Sequence, residues 1–381
     1  MTMNITIAID SLKGSLSSIE AGRAIKNGIR KVYPDAKVSI RPVADGGEGT
    51  VDALVEGMNG QIHQISVTGP LGQPVTAKYG IISRTNTAVM EMSQAAGITL
   101  VPEEKRNPLY TTTYGVGEMI KDAIQKNCRH FIIGIGGSAT NDGGIGMLQA
   151  LGYDFLDSDG LPVPLGAIGL KDLASISCDN VIPALKECTF RIACDVTNVL
   201  CGKNGCSAVF GPQKGATDNM IAQMDAWLHH YASLAQNVSP QADPSCPGTG
   251  AAGGLGFAFL TFTNAVLESG VKIILEETLL EDYIKTADYV ITGEGCLDRQ
   301  TVMGKAPIGV AKLAKQFGKP VLAFSGSATR DASLCNENGI DAFFPILCSV
   351  VSLEEAMNPK TAAQNMSDTA EQVFRLIRLK G

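Results

Sequence analysis

FIIGIGGSATNDGG, residues Phe131–Gly144, is the stretch from which the fold can be read. Phe131, Ile132 and Ile133 make a short run of bulky apolar residues. Such a run marks a strand buried on both faces, as in a parallel sheet. The texture then changes at once to Gly134, Gly136, Gly137, Ser138, Thr140, Asn141, Asp142, Gly143 and Gly144. Glycines let the backbone turn sharply and let a ligand approach its N–H groups. Ser138 and Thr140 add hydroxyls and Asp142 a carboxylate. A tight turn needs one or two glycines, not this many, so a loop that receives an anion is the preferred reading.

The same strand-then-loop grammar recurs outward from this point. Near the start, Ile5–Ile9 reads as a buried strand running into Asp10-Ser11-Leu12-Lys13-Gly14-Ser15. Ser17 with Glu20 three residues later is a capping box, and Ala21, Ala24, Ile25, Gly28 and Ile29 follow at helical spacing. Lys37–Val43 is the next strand and ends in the acidic glycine loop Ala44–Thr50. A strand, helix and strand in this order seed a parallel sheet with a right-handed crossover. Thr68–Pro74 is turn chemistry, flanked by strands at Val75–Ile82 and Thr87–Met92. A helix is expected from Thr111–Glu118 to about Lys126, a strand at Phe190–Cys194 ending in Asp195, and a helix over Asp218–Gln236. The βα rhythm resumes with Tyr289–Thr292, the loop Gly293–Gln300, a helix from Pro307 to Phe317, strands at Pro320–Phe324 and Ile340–Ile346, and a closing helix.

These elements predict an α/β protein with a discontinuous Rossmann- or flavodoxin-like doubly wound domain, residues 1–66 and 285–381. A second α/β domain, residues 67–284, is inserted into it, and the expected ligand cleft lies between the two. A chain of 381 residues suits two domains. Charged residues make up 18%, below the roughly 25% of an average domain, and 45% are hydrophobic, which favours large cores. The net charge of −7 gives no reason to expect nucleic acid or an anionic membrane as a partner. The most apolar long segment, Gly254–Leu267, is too short and too interrupted to span a bilayer. Met1–Asn4 leads straight into a strand without the pattern of a signal peptide, so the expected location is cytoplasmic. The ten cysteines show no C-x-x-C pair and no zinc spacing with His63, His130, His229 or His230, and reduced thiols are expected.

Acidic groups stand in glycine loops at the predicted strand ends: Asp10, Asp45, Glu48, Asp142, Asp195, Glu294 and Asp298, with Lys13, Lys214, Arg299 and Lys305 among them. Phosphoryl transfer needs this mixture. Carboxylates hold Mg²⁺, N–H groups and cations neutralise phosphate oxygens, and one carboxylate takes the hydroxyl proton. Other motifs are weaker. Gly304-Lys305 lacks the earlier glycine and the Ser or Thr of a P-loop. Gly134–Ala139 matches G-x-G-x-x-A, but Gly143, Gly144 and Gly146 weaken the helix that should follow.

At these loops the sequence resembles the bacterial glycerate kinase family, type 1. The resemblance rests on DSLKGS (10–15), ADGGEGT (44–50), TTTYGVGE (111–118), IIGIGGSATNDGG (132–144), CDVTN (194–198), FGPQKGA (210–216), GAAGG (250–254) and GEGCLDRQTVMGK (293–305). It implies ATP- and Mg²⁺-dependent phosphorylation of D-glycerate at the 2-hydroxyl, by a Rossmann-like domain with an inserted domain. Within that frame Gly136, Gly137, Ser138 and Asn141 are expected to cradle ATP phosphates. Lys13 and Lys305 neutralise phosphate or the glycerate carboxylate, and Asp45, Glu48 and Glu294 are candidates to hold Mg²⁺. Asp195 is the expected base and Asp298 the next, with Asp10 beside them at a strand end. A homodimer is left open. The competing functions are an NAD-linked dehydrogenase of a small hydroxy acid and a non-catalytic protein that binds a small anion.

Overall fold

The computed structural model describes residues 2–44 and 49–379. Asp45 and Glu48 therefore lie outside the described residues. The strands, in chain order, are β1 (Asn4–Ile7), β2 (Lys37–Ile40), β3 (Gln61–Thr68), β4 (Pro74–Ile82), β5 (Thr87–Glu91), β6 (His130–Gly134), β7 (Asp154–Leu156), β8 (Ser175–Ser177), β9 (Thr189–Ala193), β10 (Ala265–Glu268), β11 (Tyr289–Leu297), β12 (Val321–Ala328) and β13 (Ala342–Pro345). The chain divides into two compact units, one of Met1–Asp45, Asp52–Asn59 and Val271–Gly381, the other of Gly46–Val51 and Gly60–Gly270.

The first unit carries a sheet in the order β13-β12-β11-β1-β2, parallel throughout. Counted within the unit this is the flavodoxin-like order 2-1-3-4-5, whose ligand crevice opens where the order reverses, here beside β1 and β11. Ile5 and Ile7 of β1 and Ile291 of β11 are fully enclosed, as strands covered on both faces require. The helix Ser18–Val32 starts on the expected capping box: Ser17 Oγ accepts from Glu20 N, and Glu20 Oε2 accepts from Ser17 N. Its apolar stripe of Ala21, Ile25, Gly28, Ile29 and Val32 packs against the closing helix Pro359–Arg378. A Cβ at Gly28 would overlap the Ser367 carbonyl oxygen, so glycine is what lets the two helices approach.

The second unit carries a six-stranded sheet in the order β10-β9-β6-β5-β4-β3. β10, β9, β6 and β5 run parallel, while β4 and β3 return antiparallel at the edge. β6, the strand from which the fold was read, sits in the middle. Phe131 of β6 stacks on Phe190 of β9 with ring centroids 4.8 Å apart, and both are buried. Fully burying an aromatic or branched side chain of this size contributes roughly 1.5–3 kcal/mol.

The unit boundaries differ from positions 66 and 285. β3 pairs with β4 along its whole length, from Gln61↔Ile81 to Thr68↔Pro74, which draws residues 60–66 into the second unit. Residues 271–284 belong to the first unit, where the helix Leu280–Thr286 packs on the helix Ala306–Gln316.

Candidate active site

In the first unit the loops leaving β1, β11 and β12 surround a cavity of 540 Å³. Asp10, Lys13, Glu294, Asp298 and Lys305 all line it, so five of the residues singled out in the sequence share one wall system. Leu347, Leu353 and Met357 supply an apolar side opposite in character.

Asp10 ends the segment from β1, and its N–H donates to the Gly293 carbonyl at 2.9 Å. Its Oδ1 accepts from Ser11 N at 2.6 Å, and Leu12 and Leu16 close the following loop by pairing with each other. Lys13 stands exposed at the tip of that loop. On the other side of the switch point, Gly293 adopts a φ of +148°, and a Cβ there would overlap the Phe324 carbonyl of β12. Only glycine lets β11 pass so close, and Glu294 follows directly. Glu294 is buried, with Oε1 accepting from Thr301 Oγ1 at 2.7 Å and Oε2 lying 3.4 Å from Lys305 Nζ. Burial raises its pKa, against the lowering effect of Thr301 and Lys305. Asp298 Oδ1 accepts from Gln300 N at 2.7 Å and Thr301 N at 3.1 Å, closing the turn that leads to the helix Ala306–Gln316. Lys305 is the N-cap residue of that helix.

The glycine loop after β6 lies in the second unit. Its backbone is pinned to the neighbouring segment through Ile98 N to Gly137 O (2.8 Å) and Ala139 N to Ala96 O (2.9 Å). Gly136 and Gly137 are exposed, and a Cβ on Gly136 would meet nothing within 4 Å. Among the described residues, the N–H groups of Gly136, Gly137 and Ser138 have no internal acceptor. Gly137 has a φ of +72°. Successive free N–H groups around such a turn form an anion-binding concavity.

The rest of the loop turns inward. Asn141 is 0% exposed and its Nδ2 donates to Ser207 Oγ at 2.8 Å. Its amide is thus committed to the interior, which departs from its expected place among phosphate donors. Asp142 is equally enclosed, accepting from Thr113 N (2.8 Å), Thr113 Oγ1 (2.9 Å) and Gly144 N (3.1 Å). It anchors the start of the helix Tyr114–Gln125 rather than facing a ligand. The next helix begins only at Ile145, so Gly134–Ala139 does not open a helix as a dinucleotide fingerprint would. Asp195 stands exposed beyond the end of β9, where its Oδ1 accepts from Gly270 N at 3.3 Å.

Two residues outside the expected site set belong in this description. Glu91 is buried at the end of β5, in register with Gly134, and its Oε1 accepts from Val51 N at 3.0 Å. The strand-end rule applied to Thr87–Met92 would have found it. Lys214 is buried under the glycine loop and donates to Ser138 Oγ at 2.7 Å and to Thr140 O at 2.6 Å. Burial lowers its pKa to about 8. Its place in FGPQKGA was visible in the sequence, but the loop it supports was not.

Among the described residues no three His, Cys, Asp or Glu side chains form a ready metal cluster. No helix among them is long and apolar enough to cross a membrane.

Residues 5–378 match the model of the glycerate kinase family. The chain is 46% identical over 378 residues to a glycerate kinase of Haemophilus influenzae, covering 99% of this chain and 100% of that protein. It is 48% identical over 354 residues to the glycerate 2-kinase of Escherichia coli, covering 93% of each. A crystal structure of a putative glycerate kinase 2 from Salmonella typhimurium superposes with a TM-score of 0.93 at 46% identity, covering 100% of this chain and 99% of that one. The chain belongs to the glycerate kinase family.

Proposed function

We propose that this protein transfers the γ-phosphoryl group of ATP to the 2-hydroxyl of D-glycerate, giving 2-phosphoglycerate, with Mg²⁺. The observation that carries this reading is the cavity at the switch point, where acidic and basic side chains from the segments that follow β1 and end β11 converge. The name of the Escherichia coli relative supports the 2-hydroxyl as acceptor.

Phosphoryl transfer asks for positioning and charge neutralisation more than for covalent chemistry. Lys13 and Lys305 bring positive charge to anionic oxygens of the two substrates. Gly136, Gly137 and Ser138 present open backbone donors to phosphate, and Asn141 acts behind them by holding the loop's inward half. A Mg²⁺ site in general needs only one or two protein carboxylates, so a cluster of three would not be required here. Glu294 and Asp10 fit that donor set, with Asp45 and Glu48 as further carboxylates. Mg²⁺ held there would supply positive charge against the charge that develops on the transferred phosphoryl group. Asp195 is the base that receives the hydroxyl proton. Asp298 ranks second because one of its oxygens is committed to two backbone N–H groups. Cytoplasmic glycerate metabolism is the setting that this reading assigns to the chain.

The test is ADP release with ATP, Mg²⁺ and D-glycerate, with the product identified by phosphorus NMR. Turnover to 2-phosphoglycerate is expected. A 3-phosphoglycerate product would overturn the site of transfer, and a folded protein that gives no product with any hydroxy acid would overturn the kinase.

A further inference from the structure

Lys214 carries a full side chain into the interior of the second unit with 2% of its surface exposed. Neither of its two hydrogen bonds goes to a carboxylate: they go to the Ser138 hydroxyl and the Thr140 carbonyl. A buried ammonium without a hydrogen-bonded counter-ion is costly and rarely kept without a use. Here its geometry has a specific consequence. An ammonium has donors only, so Ser138 Oγ must accept from it, and the hydroxyl's own proton is left for another acceptor. Ser138 is 8% exposed and follows the open Gly136 and Gly137, whose N–H groups are likewise without internal acceptors among the described residues.

We propose that Lys214 is a positioning residue that acts through Ser138. It holds the hydroxyl with its proton turned out of the loop, as a donor to an anionic oxygen bound at Gly136–Ser138. The charge polarises the hydroxyl and strengthens the bond it gives, since hydrogen bonds coupled to an ionised donor are stronger than neutral ones. The anion is a phosphate oxygen of the nucleotide or the carboxylate of the acceptor acid. This assignment of substrates rests on the kinase reading above.

The experiment uses Ser138→Ala, Ser138→Thr, Lys214→Met and the Lys214→Met, Ser138→Ala pair, with KM for ATP and for D-glycerate measured separately. Ser138→Ala and Lys214→Met are each expected to raise the KM of the same one substrate by about tenfold or more, the scale of one charge-assisted hydrogen bond. Ser138→Thr keeps the hydroxyl and is expected to raise that KM less than Ser138→Ala does. The pair is expected to be no worse than Lys214→Met alone, because two residues acting as one unit are not additive. The substrate whose KM moves identifies the anion. Unchanged KM values in Ser138→Ala, or additive losses in the pair, overturn the inference. If Lys214→Met does not fold, the Ala–Thr contrast at Ser138 decides. If the wild type releases no ADP, the kinase reading falls instead, and calorimetric titration with inorganic phosphate takes over. Binding weakened in Ser138→Ala then supports the inference, and equal binding overturns it.

Discussion

Thr301 Oγ1 donates to Glu294 Oε1 at 2.7 Å, so a carboxylate on β11 is oriented by the turn that leads into the next helix. The same turn is closed by Asp298 and ends at Lys305, whose Nζ lies 3.4 Å from the other Glu294 oxygen. Strand, turn and helix start are thereby tied around a single buried acid. Glu294→Gln keeps the shape and removes the charge. The variant is expected to fold, and to need at least about tenfold more Mg²⁺ for half-maximal rate, the scale seen when support of a metal site is lost. A Mg²⁺ titration of initial rate checks this, and an unchanged midpoint would take Glu294 out of the metal set.

Asp142 is expected to govern stability rather than turnover. It is fully enclosed, and its oxygens accept from Thr113 N, Thr113 Oγ1 and Gly144 N. Asp142→Asn turns an amide NH₂ toward these donors, leaving buried donors unsatisfied at a cost of about 1–3 kcal/mol each. Urea unfolding should show the midpoint falling, with little change in the KM of the protein that remains folded.

The titration of Lys214 gives a pH prediction with a definite sign. Burial lowers its pKa from 10.5 to about 8. Two titratable groups face it: Asp142, and Cys206, whose thiol burial pushes up to about 11. Above pH 8 the folded chain has released the Lys214 proton while the unfolded chain still holds it. Stability rises with pH wherever the unfolded state binds more protons. The wild type should therefore gain stability relative to Lys214→Met between about pH 8 and 10, with the contributions of groups remote from Lys214 cancelling in the difference. Urea unfolding of both proteins at a series of pH values measures it, and a flat difference would mean that the ammonium is better solvated than its burial indicates.

Gly28→Ala tests helix packing against helix propensity. Alanine gains about 1 kcal/mol in a helix interior. The added methyl would overlap the Ser367 carbonyl of the facing helix, and overpacking of this kind costs about 1–3 kcal/mol. Because backbone rather than a flexible side chain stands in the way, net destabilisation is expected by thermal or urea unfolding.

The strands and their loops were legible because a fully buried parallel strand is an uninterrupted apolar run, as in Phe131–Ile133, and because glycines crowd where such strands end. The capping box at Ser17 and Glu20 was legible for the same local reason. β3 was not: Gln61–Thr68 is half-exposed along most of its length, so its sequence carries no apolar run, and only its pairing with β4 shows where it belongs. Local sequence likewise cannot tell which polar residues of a loop face inward. Asn141 is turned to the core by Ser207, 66 residues away, and Asp142 by Thr113, 29 residues before it. Asp10, Lys13, Glu294, Asp298 and Lys305 could be named from strand ends alone, but their convergence on one cavity depends on the strand order β11-β1, which sequence spacing does not contain.

The choice of base separates Asp195 from Asp298. A carboxylate that takes the hydroxyl proton contributes about 10²–10⁴ in rate. Asp195→Asn keeps an oxygen able to accept from Gly270 N, so the local backbone is retained while the proton acceptor is lost. Asp298→Asn likewise retains an oxygen for Gln300 N and Thr301 N. Loss of kcat on that scale is expected for Asp195→Asn, and a smaller effect for Asp298→Asn. A folded Asp195→Asn protein with near-normal kcat would move the role away from this residue, and a large loss in Asp298→Asn alone would move it into the switch-point cavity.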